Sequence, residues 1–314
     1  MKNKFIGVGT LHLPKNAQDF FSTAFDLGVN VFDTAPSYQE GRADVELGRF
    51  LADVNRDEVH VFSKVFYAIP NSEISEGLSK DNINLSVERT LENLKTTYLD
   101  VLFFHRYDRF TPVETSLQTL QEYLNTGTVK EWGFSAYSLM EAVQLCEKSI
   151  AMGLKLPKYA QYAYNLFNRT VELELQYLFD YYNIEVVGYY PLAQGVLSGK
   201  YASKINDARA NNDVYKKNMW DLTPDKIRRA SQLNLYAQKK GISAPALAFA
   251  WCFTNPQVTG LLTSFSNKKQ LEDVLTAKQL KLENDDFKEL DNIFGSLPLR
   301  NTYMNLKYNN LRQY

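Results

Sequence analysis

The feature that most constrains this chain is a regular alternation of short apolar runs with segments of helical periodicity. Eight runs have the length of strands, at residues 5–10, 29–33, 59–64, 99–104, 129–135, 159–164, 185–189 and 257–263. Between and after them, apolar residues recur at helical spacing over residues 14–27, 44–52, 79–97, 112–126, 139–150, 170–182, 224–240, 245–253, 268–277 and 284–294. This alternation predicts an α/β fold in which a parallel sheet is covered by helices.

Two closures of such a sheet compete, an open doubly wound sheet and a closed (β/α)8 TIM barrel. The open dinucleotide-binding fold is marked by Gly-x-Gly-x-x-Gly after the first strand, and residues 7–12, GVGTLH, lack the third glycine. Eight units therefore favour the barrel, whose chemistry lies at the C-terminal ends of its strands. No composition shift marks a boundary, so we expect a single domain over residues 1–314, with a polar loop insertion near 202–223 and a C-terminal tail at 295–314.

Composition and charge argue against several classes of protein. The 314 residues have a formal net charge of −1, which gives no electrostatic reason to bind nucleic acid or an acidic membrane. No apolar stretch reaches bilayer length, and the N-terminal apolar run is too short for a signal peptide. Cys146 and Cys252 have no metal-ligand spacing, which suits a reducing compartment. We expect a cytoplasmic protein with no membrane segment and no metal site, and a homo-oligomer remains open.

Ionisable side chains follow three successive strand patterns. Asp33 ends the second strand, Lys64 ends the third, and His105 follows the fourth, while Tyr38 lies in the loop after Asp33. In a barrel these strand ends meet at one face, which would bring the four side chains together. A phenol has a resting pKa near ~10, and a neighbouring ammonium lowers it. The set predicts that Lys64 and Asp33 tune Tyr38 as a proton donor while His105 orients a carbonyl.

Each of these residues alone also has a structural interpretation. Asp33 can cap the next helix, Tyr38 can be a packing residue, and Lys64 can be a solvated strand-end residue. His105 can be an edge histidine with its hydrogen bonds satisfied. Their coincidence at successive strand ends is what favours a functional interpretation.

Longer stretches around these residues form motifs. Residues 28–35, GVNVFDTA, precede Tyr38 and are followed by ADVELG at residues 43–48. Further motifs are LDVLFFHR at residues 99–106, GTVKEWGFS at 127–135, QYAYNL at 161–166 and YPLAQGVLSGKY at 190–201. Over residues 5–275 the chain resembles the aldo-keto reductase superfamily, and its style is most similar to the branch that contains the potassium-channel beta subunits.

The resemblance implies a TIM barrel that binds NADP(H) in extended form at the C-terminal face of the strands, with NADH less favoured. It makes Tyr38 the general acid, Lys64 and Asp33 its tuning residues, and His105 the carbonyl-orienting group. It also implies cofactor contacts at Gly9, Thr10, Asp33, Ser135, Gln161, Tyr189, Tyr190, Pro191, Leu192, Gln194, Gly195, Lys200, Arg209, Ser264, Ser266, Gln270 and Asp273.

The implied contacts divide by the part of the cofactor that they would meet. The nicotinamide carboxamide and ring would be held by Ser135, Gln161 and Tyr189. The pyrophosphate would lie on a glycine-rich loop, where backbone N–H groups and a cation meet an anion, at Leu192, Gly195 and Lys200. The adenosine end would meet Ser266, Gln270 and Asp273, and a phosphate would be clamped by Arg209.

Three positions depart from the family pattern. Ala136 follows Ser135 where many members have Asn or Arg, Ser264-Phe265 precedes the adenosine serine, and Val274 stands where an Asn is expected to face adenine. These departures leave the preference between NADPH and NADH open. The complete set of Asp33, Tyr38, Lys64 and His105 predicts that the chemistry is retained.

The leading hypothesis is reduction of an aldehyde or ketone, or the reverse oxidation of an alcohol, with Tyr38 as proton donor. One alternative is an NADP(H)-binding regulatory or scaffold subunit with weak catalysis. Others are a dedicated biosynthetic keto- or enoyl-sugar reductase, and a barrel hydrolase or lyase without a nicotinamide, because a fold alone does not fix function. The substrate pocket is predicted to be aromatic, with walls at Tyr67, Trp132, Trp220 and Tyr303.

Overall fold

Eight parallel strands pair in sequence order and close into a barrel in the computed structural model, which describes residues 4–201 and 222–296. The strands are β1 (Phe5–Gly9), β2 (Val31–Asp33), β3 (His60–Val65), β4 (Leu99–Phe104), β5 (Val129–Ser135), β6 (Tyr159–Ala163), β7 (Glu185–Tyr189) and β8 (Val258–Thr263). The last strand pairs with the first, with Phe5 opposite Gly260. The predicted (β/α)8 barrel is therefore confirmed.

Helices surround the barrel and follow the strands in the predicted order. Within the described residues they are α1 (Ala17–Asp26), α2 (Arg42–Leu51), α3 (Lys80–Leu94), α4 (Val113–Thr126), α5 (Leu139–Ala151), α6 (Gln176–Tyr182), α7 (Pro224–Lys239), α8 (Ala244–Cys252), α9 (Lys268–Leu275) and α10 (Asn284–Phe294). Side chains cap several N-termini: the Ser79 hydroxyl accepts the Asn82 N–H, and Ser138 and Glu141 form a capping box.

The second strand is shorter than predicted. The apolar run suggested residues 29–33, but the strand begins at Val31. The N–H of Val29 donates to the carbonyl of Ala24 at 3.0 Å, so Val29 closes the turn after α1 instead of pairing in the sheet. An apolar residue in a buried turn gives the same sequence signal as one in a buried strand.

Side chains alternate along each strand between the barrel interior and the helix layer. We call the interior set the inner-barrel residues: Val31, Phe62, Val101, Phe103, Val187 and Leu262, packed with Phe5, Tyr159 and Tyr189. The side chains that alternate with them, such as Phe32 and Leu102, pack against the helices in the main core. Any residue two positions beyond an inner-barrel residue therefore points toward the barrel axis.

Aromatic rings fill the N-terminal end of the barrel. The Phe5 ring lies where a side chain at position 260 would be, because a Cβ built on Gly260 would be 2.1 Å from Phe5 Cζ. Phe62 packs against Phe5 and Tyr159, with ring centroids 5.9 and 5.8 Å apart. Any larger residue at position 260 would displace this ring packing, which closes the end of the barrel opposite the strand C-termini.

Trp132 was predicted as a pocket wall, and this prediction is wrong. The residue is fully buried, and its indole N–H donates to the Lys155 carbonyl at 2.9 Å. Its ring packs beside Phe104 in the helix layer. The alternation along β5 explains the error, since residues on either side of Trp132 face inward and Trp132 itself faces outward.

None of the described helices is long and apolar enough to cross a membrane. The described ranges also contain no group of three or more His, Cys, Asp or Glu side chains arranged to hold a metal ion. Cys146 and Cys252 are both buried free thiols.

Candidate active site

Three strands deliver ionisable side chains to one end of the barrel. Asp33, Lys64 and His105 each come two residues after an inner-barrel residue, on β2, on β3 and directly after β4. Their side chains therefore point toward the axis at the C-terminal ends of the strands. All three are buried, so their charges and hydrogen bonds act in a largely dry environment.

The Asp33 carboxylate is bonded through both oxygens. Lys64 Nζ donates to Asp33 Oδ1 at 2.5 Å, and Gln161 Nε2 donates to Asp33 Oδ2 at 2.6 Å. The ammonium of Lys64 also donates to the carbonyl of Thr34 at 2.9 Å. Burial lowers the pKa of Lys64, and the Asp33 charge opposes that change. The result is a fixed buried pair that joins β2, β3 and β6.

Tyr38 lies at the mouth of the barrel, beside this pair. Lys64 Nζ is 4.8 Å from the centroid of the Tyr38 ring, and the His105 ring centroid is 5.9 Å from it at an interplanar angle of 72°. The expectation that Lys64 lowers the pKa of Tyr38 is wrong: burial and the Asp33 charge raise the pKa well above its ordinary value. The Asp33 carboxylate offsets the Lys64 charge in the resting site without removing it, so burial of the hydroxyl dominates there.

His105 is a neutral imidazole in this setting. Burial lowers its pKa to about 2, helped by the positive charges of Lys64 and Arg106. A neutral imidazole can donate one hydrogen bond but cannot act as a cationic acid. The ring of Tyr67 packs edge-on against it, with centroids 4.7 Å apart. Tyr67, predicted as a pocket wall, therefore lies at the mouth beside His105.

Asp44 is a second buried carboxylate close to the site. It lies in the first turn of α2, and its Oδ1 accepts the Thr34 hydroxyl at 2.5 Å. Burial raises its pKa to about 6, although the charge of Lys64 works in the opposite direction. Sequence reasoning gave Asp44 no role. The available signal was a charged residue next to apolar positions in the helical pattern ADVELG.

The backbone is strained in the loops at this end of the barrel. Non-glycine residues in the left-handed region, with φ between 47° and 58°, follow β2, β5 and β7: Gln39, Glu40, Ala136, Tyr190, Ala193 and Gln194. Such conformations cost free energy and cluster at functional sites. The strain identifies these loops as a candidate binding surface.

The loop after β7 forms a tight turn beside a cation, with the N–H groups of Gly195 and Leu197 both donating to the Leu192 carbonyl. Gly195 has φ 93°, and a Cβ built on it would be 3.2 Å from Lys200 Cε and 3.4 Å from Lys200 Nζ. The ammonium thus lies directly against backbone that only glycine leaves open. This arrangement fits the pyrophosphate of a dinucleotide. Leu192 and Pro191 line the same turn, and Gln194 is exposed.

The predicted nicotinamide contacts lie at the mouth. Ser135 and Gln161 are each 2% exposed, and the N–H of Ala136 donates to the Gln161 carbonyl at 3.0 Å. Because Gln161 Nε2 already serves Asp33, its Oε1 remains to accept a hydrogen bond. Tyr189 packs edge-on against Tyr190, with ring centroids 5.1 Å apart.

The two predicted cofactor contacts near β1, Gly9 and Thr10, differ in their exposure. Gly9 ends β1 and is partly exposed, whereas Thr10 is fully buried. The Gln39 amide donates to the carbonyls of Thr10 and Leu11 at 3.4 and 3.2 Å and covers this backbone. A contact between Thr10 and a cofactor would therefore require Gln39 to move.

The predicted adenosine contacts gather at the start of α9. Gln270 Oε1 accepts the N–H of Ser266 at 2.9 Å, and both residues are exposed. Ser264 is exposed and Asp273 is partly exposed. Phe265 stacks on Phe20 of α1 at 4.3 Å, so its unusual side chain packs between helices.

The remaining positions singled out in the sequence are Val274, Arg209, Trp220 and Tyr303. Val274 is buried in the main core and does not face the surface around Ser266. Arg209, Trp220 and Tyr303 lie outside the described residues, as do most of the predicted insertion and tail.

Comparison with known proteins gives consistent matches. The Aldo/keto reductase family model matches residues 6–294. A protein of Oryza sativa subsp. japonica named "Probable voltage-gated potassium channel subunit beta" is 33% identical over 273 residues, covering 84% of this chain and 82% of that protein. A protein of the same name from Arabidopsis thaliana is 31% identical over 270 residues, with the same two coverages.

Proposed function

The chain belongs to the aldo/keto reductase family, and from this premise we propose that it reduces an aldehyde or ketone with NADPH, Tyr38 giving the proton. The observation that supports this most is the joint placement of Tyr38 and His105 beside the buried Asp33–Lys64 pair. The nicotinamide, when bound, supplies a hydride to the carbonyl carbon. The remaining work belongs to side chains of this protein.

Tyr38 and His105 are suited to bind one carbonyl oxygen. The neutral imidazole donates a hydrogen bond, and the raised pKa of Tyr38 keeps its hydroxyl protonated at neutral pH. As negative charge develops on the substrate oxygen, both donors interact more strongly with it, which lowers the barrier. An alkoxide is a far stronger base than a phenolate, so it takes the Tyr38 proton.

Lys64 acts on the phenolate that this transfer creates. Its ammonium is fixed by Asp33 and Thr34 at 4.8 Å from the Tyr38 ring centroid. A preorganised positive charge stabilises the developing phenolate without reorganisation. Gln161 holds the second oxygen of Asp33 and so fixes the carboxylate that orients Lys64.

The residues at the mouth fit an extended NADP(H). Ser135, Gln161 and Tyr189 would hold the nicotinamide, and the Gly195 turn with Lys200 would hold the pyrophosphate. The adenosine end would lie near Ser264, Ser266, Gln270 and Asp273. We further propose a cytoplasmic location and leave the oligomeric state to direct measurement.

The test is the Tyr38→Phe variant, which removes one hydroxyl. We expect carbonyl-dependent oxidation of NADPH to fall about 100- to 10,000-fold in kcat. NADPH affinity, measured by quenching of intrinsic fluorescence, should stay within about twofold, because the cofactor contacts remain. Tyr123→Phe, whose hydroxyl donates to Asn84 on the outer helices, is the matched control and should keep full activity. Equal turnover by Tyr38→Phe and the parent would remove Tyr38 from the mechanism.

A regulatory role is the second candidate, and the names of the two plant relatives favour it. In this case the protein would bind NADP(H) tightly and form a stable complex with a partner protein, but turn over slowly. A panel of aldehydes, ketones and keto sugars distinguishes the candidates. Turnover on one sugar class alone would favour a dedicated biosynthetic reductase. Tight cofactor binding without turnover on any member would favour the regulatory subunit.

A further inference from the structure

Arg106 lies at the mouth of the barrel and has no part in the mechanism above. It follows His105 directly, it is partly exposed, and its guanidinium carbon is 5.7 Å from the centroid of the Tyr67 ring. Its positive charge pulls down the pKa values of five side chains around the mouth: Tyr38, Lys64, His105, Tyr189 and Tyr190. The Tyr67 ring itself packs edge-on against His105, with ring centroids 4.7 Å apart, so the guanidinium lies at the mouth on the Tyr67 side.

Most N–H donors of the guanidinium have no hydrogen-bond partner among residues 4–201 and 222–296. Its one hydrogen bond in the described part of the chain runs from Nη1 to the carbonyl of His105, at 2.7 Å. No carboxylate of residues 4–201 or 222–296 lies within ion-pair distance of it. Arg56 and Arg169, by contrast, pair with Asp100 and Glu172 at 2.8 and 2.7 Å. A guanidinium has five N–H donors in a planar fork that matches carboxylate or phosphate.

We propose that Arg106 binds an anionic group, carboxylate or phosphate, on the carbonyl substrate, so that the enzyme prefers anionic aldehydes or ketones over neutral ones. The proposal rests on the proposed reductase function. The Tyr67 ring contacts both the Arg106 guanidinium and His105, which is expected to meet the carbonyl oxygen. The anion therefore lies on the same molecule as the reacting carbonyl and on the mouth side of it.

The surroundings of Arg106 suit this class of substrate. Tyr67 packs against both Arg106 and His105, and Tyr190 is 38% exposed on the other side of the mouth. Aromatic walls accept an apolar spacer between carbonyl and anion, while the cation selects the charged end. The site would thus discriminate by charge at one end and by shape along its length.

The test compares pairs of aldehydes, one anionic and one neutral, in the parent and in Arg106→Gln. One pair is para-carboxybenzaldehyde and para-methylbenzaldehyde; the other is glyceraldehyde phosphate and glyceraldehyde. We expect Arg106→Gln to raise KM about 10- to 100-fold for the anionic member and to leave the neutral member within about twofold. The pair that shows the larger effect identifies carboxylate or phosphate as the recognised group. Arg106→Lys should restore part of the loss.

Two controls separate this inference from the proposed function. Arg109→Gln removes an exposed arginine three residues away and should leave KM unchanged for both the anionic and the neutral substrate. Binding of para-(hydroxymethyl)benzoate to protein saturated with NADP+, measured by calorimetry, tests anion recognition even if no carbonyl is turned over. That binding should be lost in Arg106→Gln and kept in Arg109→Gln.

Three results would overturn the role of Arg106. The parent could have the same KM for the anionic and the neutral member of each pair. Arg106→Gln could lower activity equally for charged and neutral substrates. The variant could instead weaken NADPH binding, in which case the guanidinium serves the cofactor. The protein could also bind para-(hydroxymethyl)benzoate through Arg106 and yet turn over no carbonyl compound. That result would count against the reductase proposal and not against the role of Arg106.

Discussion

The two ends of the barrel each hold a carboxylate joined to cations, and the two clusters are built in opposite ways. At the N-terminal end Asp100 contacts Arg56, His60 and Lys130, two of which are at least half exposed. At the C-terminal end Asp33 contacts Lys64, and both are buried. The first cluster has two cations, Arg56 and Lys130, for one carboxylate, and Lys130 and His60 are exposed at its edge. The second is a balanced pair held where water is scarce and a ligand can enter.

The loops differ between the two ends in the same sense. At the N-terminal end left-handed residues such as Lys95 and Asn183 terminate helices, where that conformation satisfies backbone groups. At the C-terminal end Ala136 and Tyr190 adopt it directly after strands. A left-handed residue that ends a helix contributes to folding. A left-handed residue beside the Asp33–Lys64 pair instead shapes a binding surface. The comparison predicts that changes at one end affect stability alone and that changes at the other affect activity as well.

Lys64→Met should have the largest effect. It leaves the Asp33 carboxylate buried with only Gln161 as a partner, which we expect to cost about 3 to 5 kcal/mol in the free energy of unfolding. Turnover should fall about 100-fold or more, since no ammonium faces the Tyr38 phenolate. Urea unfolding and carbonyl-dependent NADPH oxidation measure the two quantities. A variant that loses stability but keeps full turnover per folded molecule would show that the two ends are equivalent.

Asp100→Asn should cost about 2 to 3 kcal/mol at neutral pH without changing kcat. Burial opposes ionisation of Asp100, but hydrogen bonds from His60, the Val61 N–H and Arg56 outweigh it and hold its pKa well below the ordinary value. Its stabilisation is therefore present above the unfolded pKa, near ~4, and is lost as pH falls below that. Urea titrations should show the difference between parent and variant shrinking below about pH 4. A lower kcat per folded molecule would contradict the expectation that the N-terminal end of the barrel affects stability alone.

Asp44→Asn should stabilise the protein by about 1 to 2 kcal/mol above pH 6. The pKa of Asp44 is raised by burial from its ordinary value to about 6, so the folded state holds this proton over a range in which the unfolded chain has lost it. Stability from this group is full at low pH, falls between about pH 4 and 6, and stays lower above. Thermal melts at several pH values test this, with Asp53→Asn, an exposed acid, as control. Equal slopes in parent and variant would contradict it.

Lys130→Gln should have the smallest effect. Its ammonium is 3.4 Å from Asp100 Oδ1, but the side chain is half exposed. Exposed pairs contribute about 0.2 to 1 kcal/mol, and salt screens them. We expect a change of about 0.5 kcal/mol that disappears at high salt. A larger loss would mean that Asp100 depends on this lysine as Asp33 depends on Lys64.

The barrel could be predicted from sequence because its signal is repeated eight times. The strands at residues 99–104, 129–135 and 185–189 were located to the residue. The start of β2 was misplaced because an apolar turn and an apolar strand look alike. The side of the strand occupied by Trp132 was predictable in principle from the two-residue alternation of side chains along a strand.

The site was predictable in its membership but not in its energetics. Asp33, Lys64 and His105 stood out because each lies at or directly after the C-terminal end of a predicted strand. The bond from Gln161 to Asp33 joins residues 128 positions apart, and no local pattern reveals it. The direction of the Tyr38 pKa depends on burial and on how far Asp33 neutralises Lys64. Such balances are set by three-dimensional packing.

The alternation that aims site residues at the axis also limits how this protein can change. Deleting one residue between Phe62 and Lys64 would turn the lysine toward the helices and leave the aspartate facing empty space. Loops beyond the strand ends carry no such periodic constraint. Over evolutionary time, or in directed evolution, insertions should therefore collect after the strands, and the lengths of the strands themselves should stay fixed while specificity drifts.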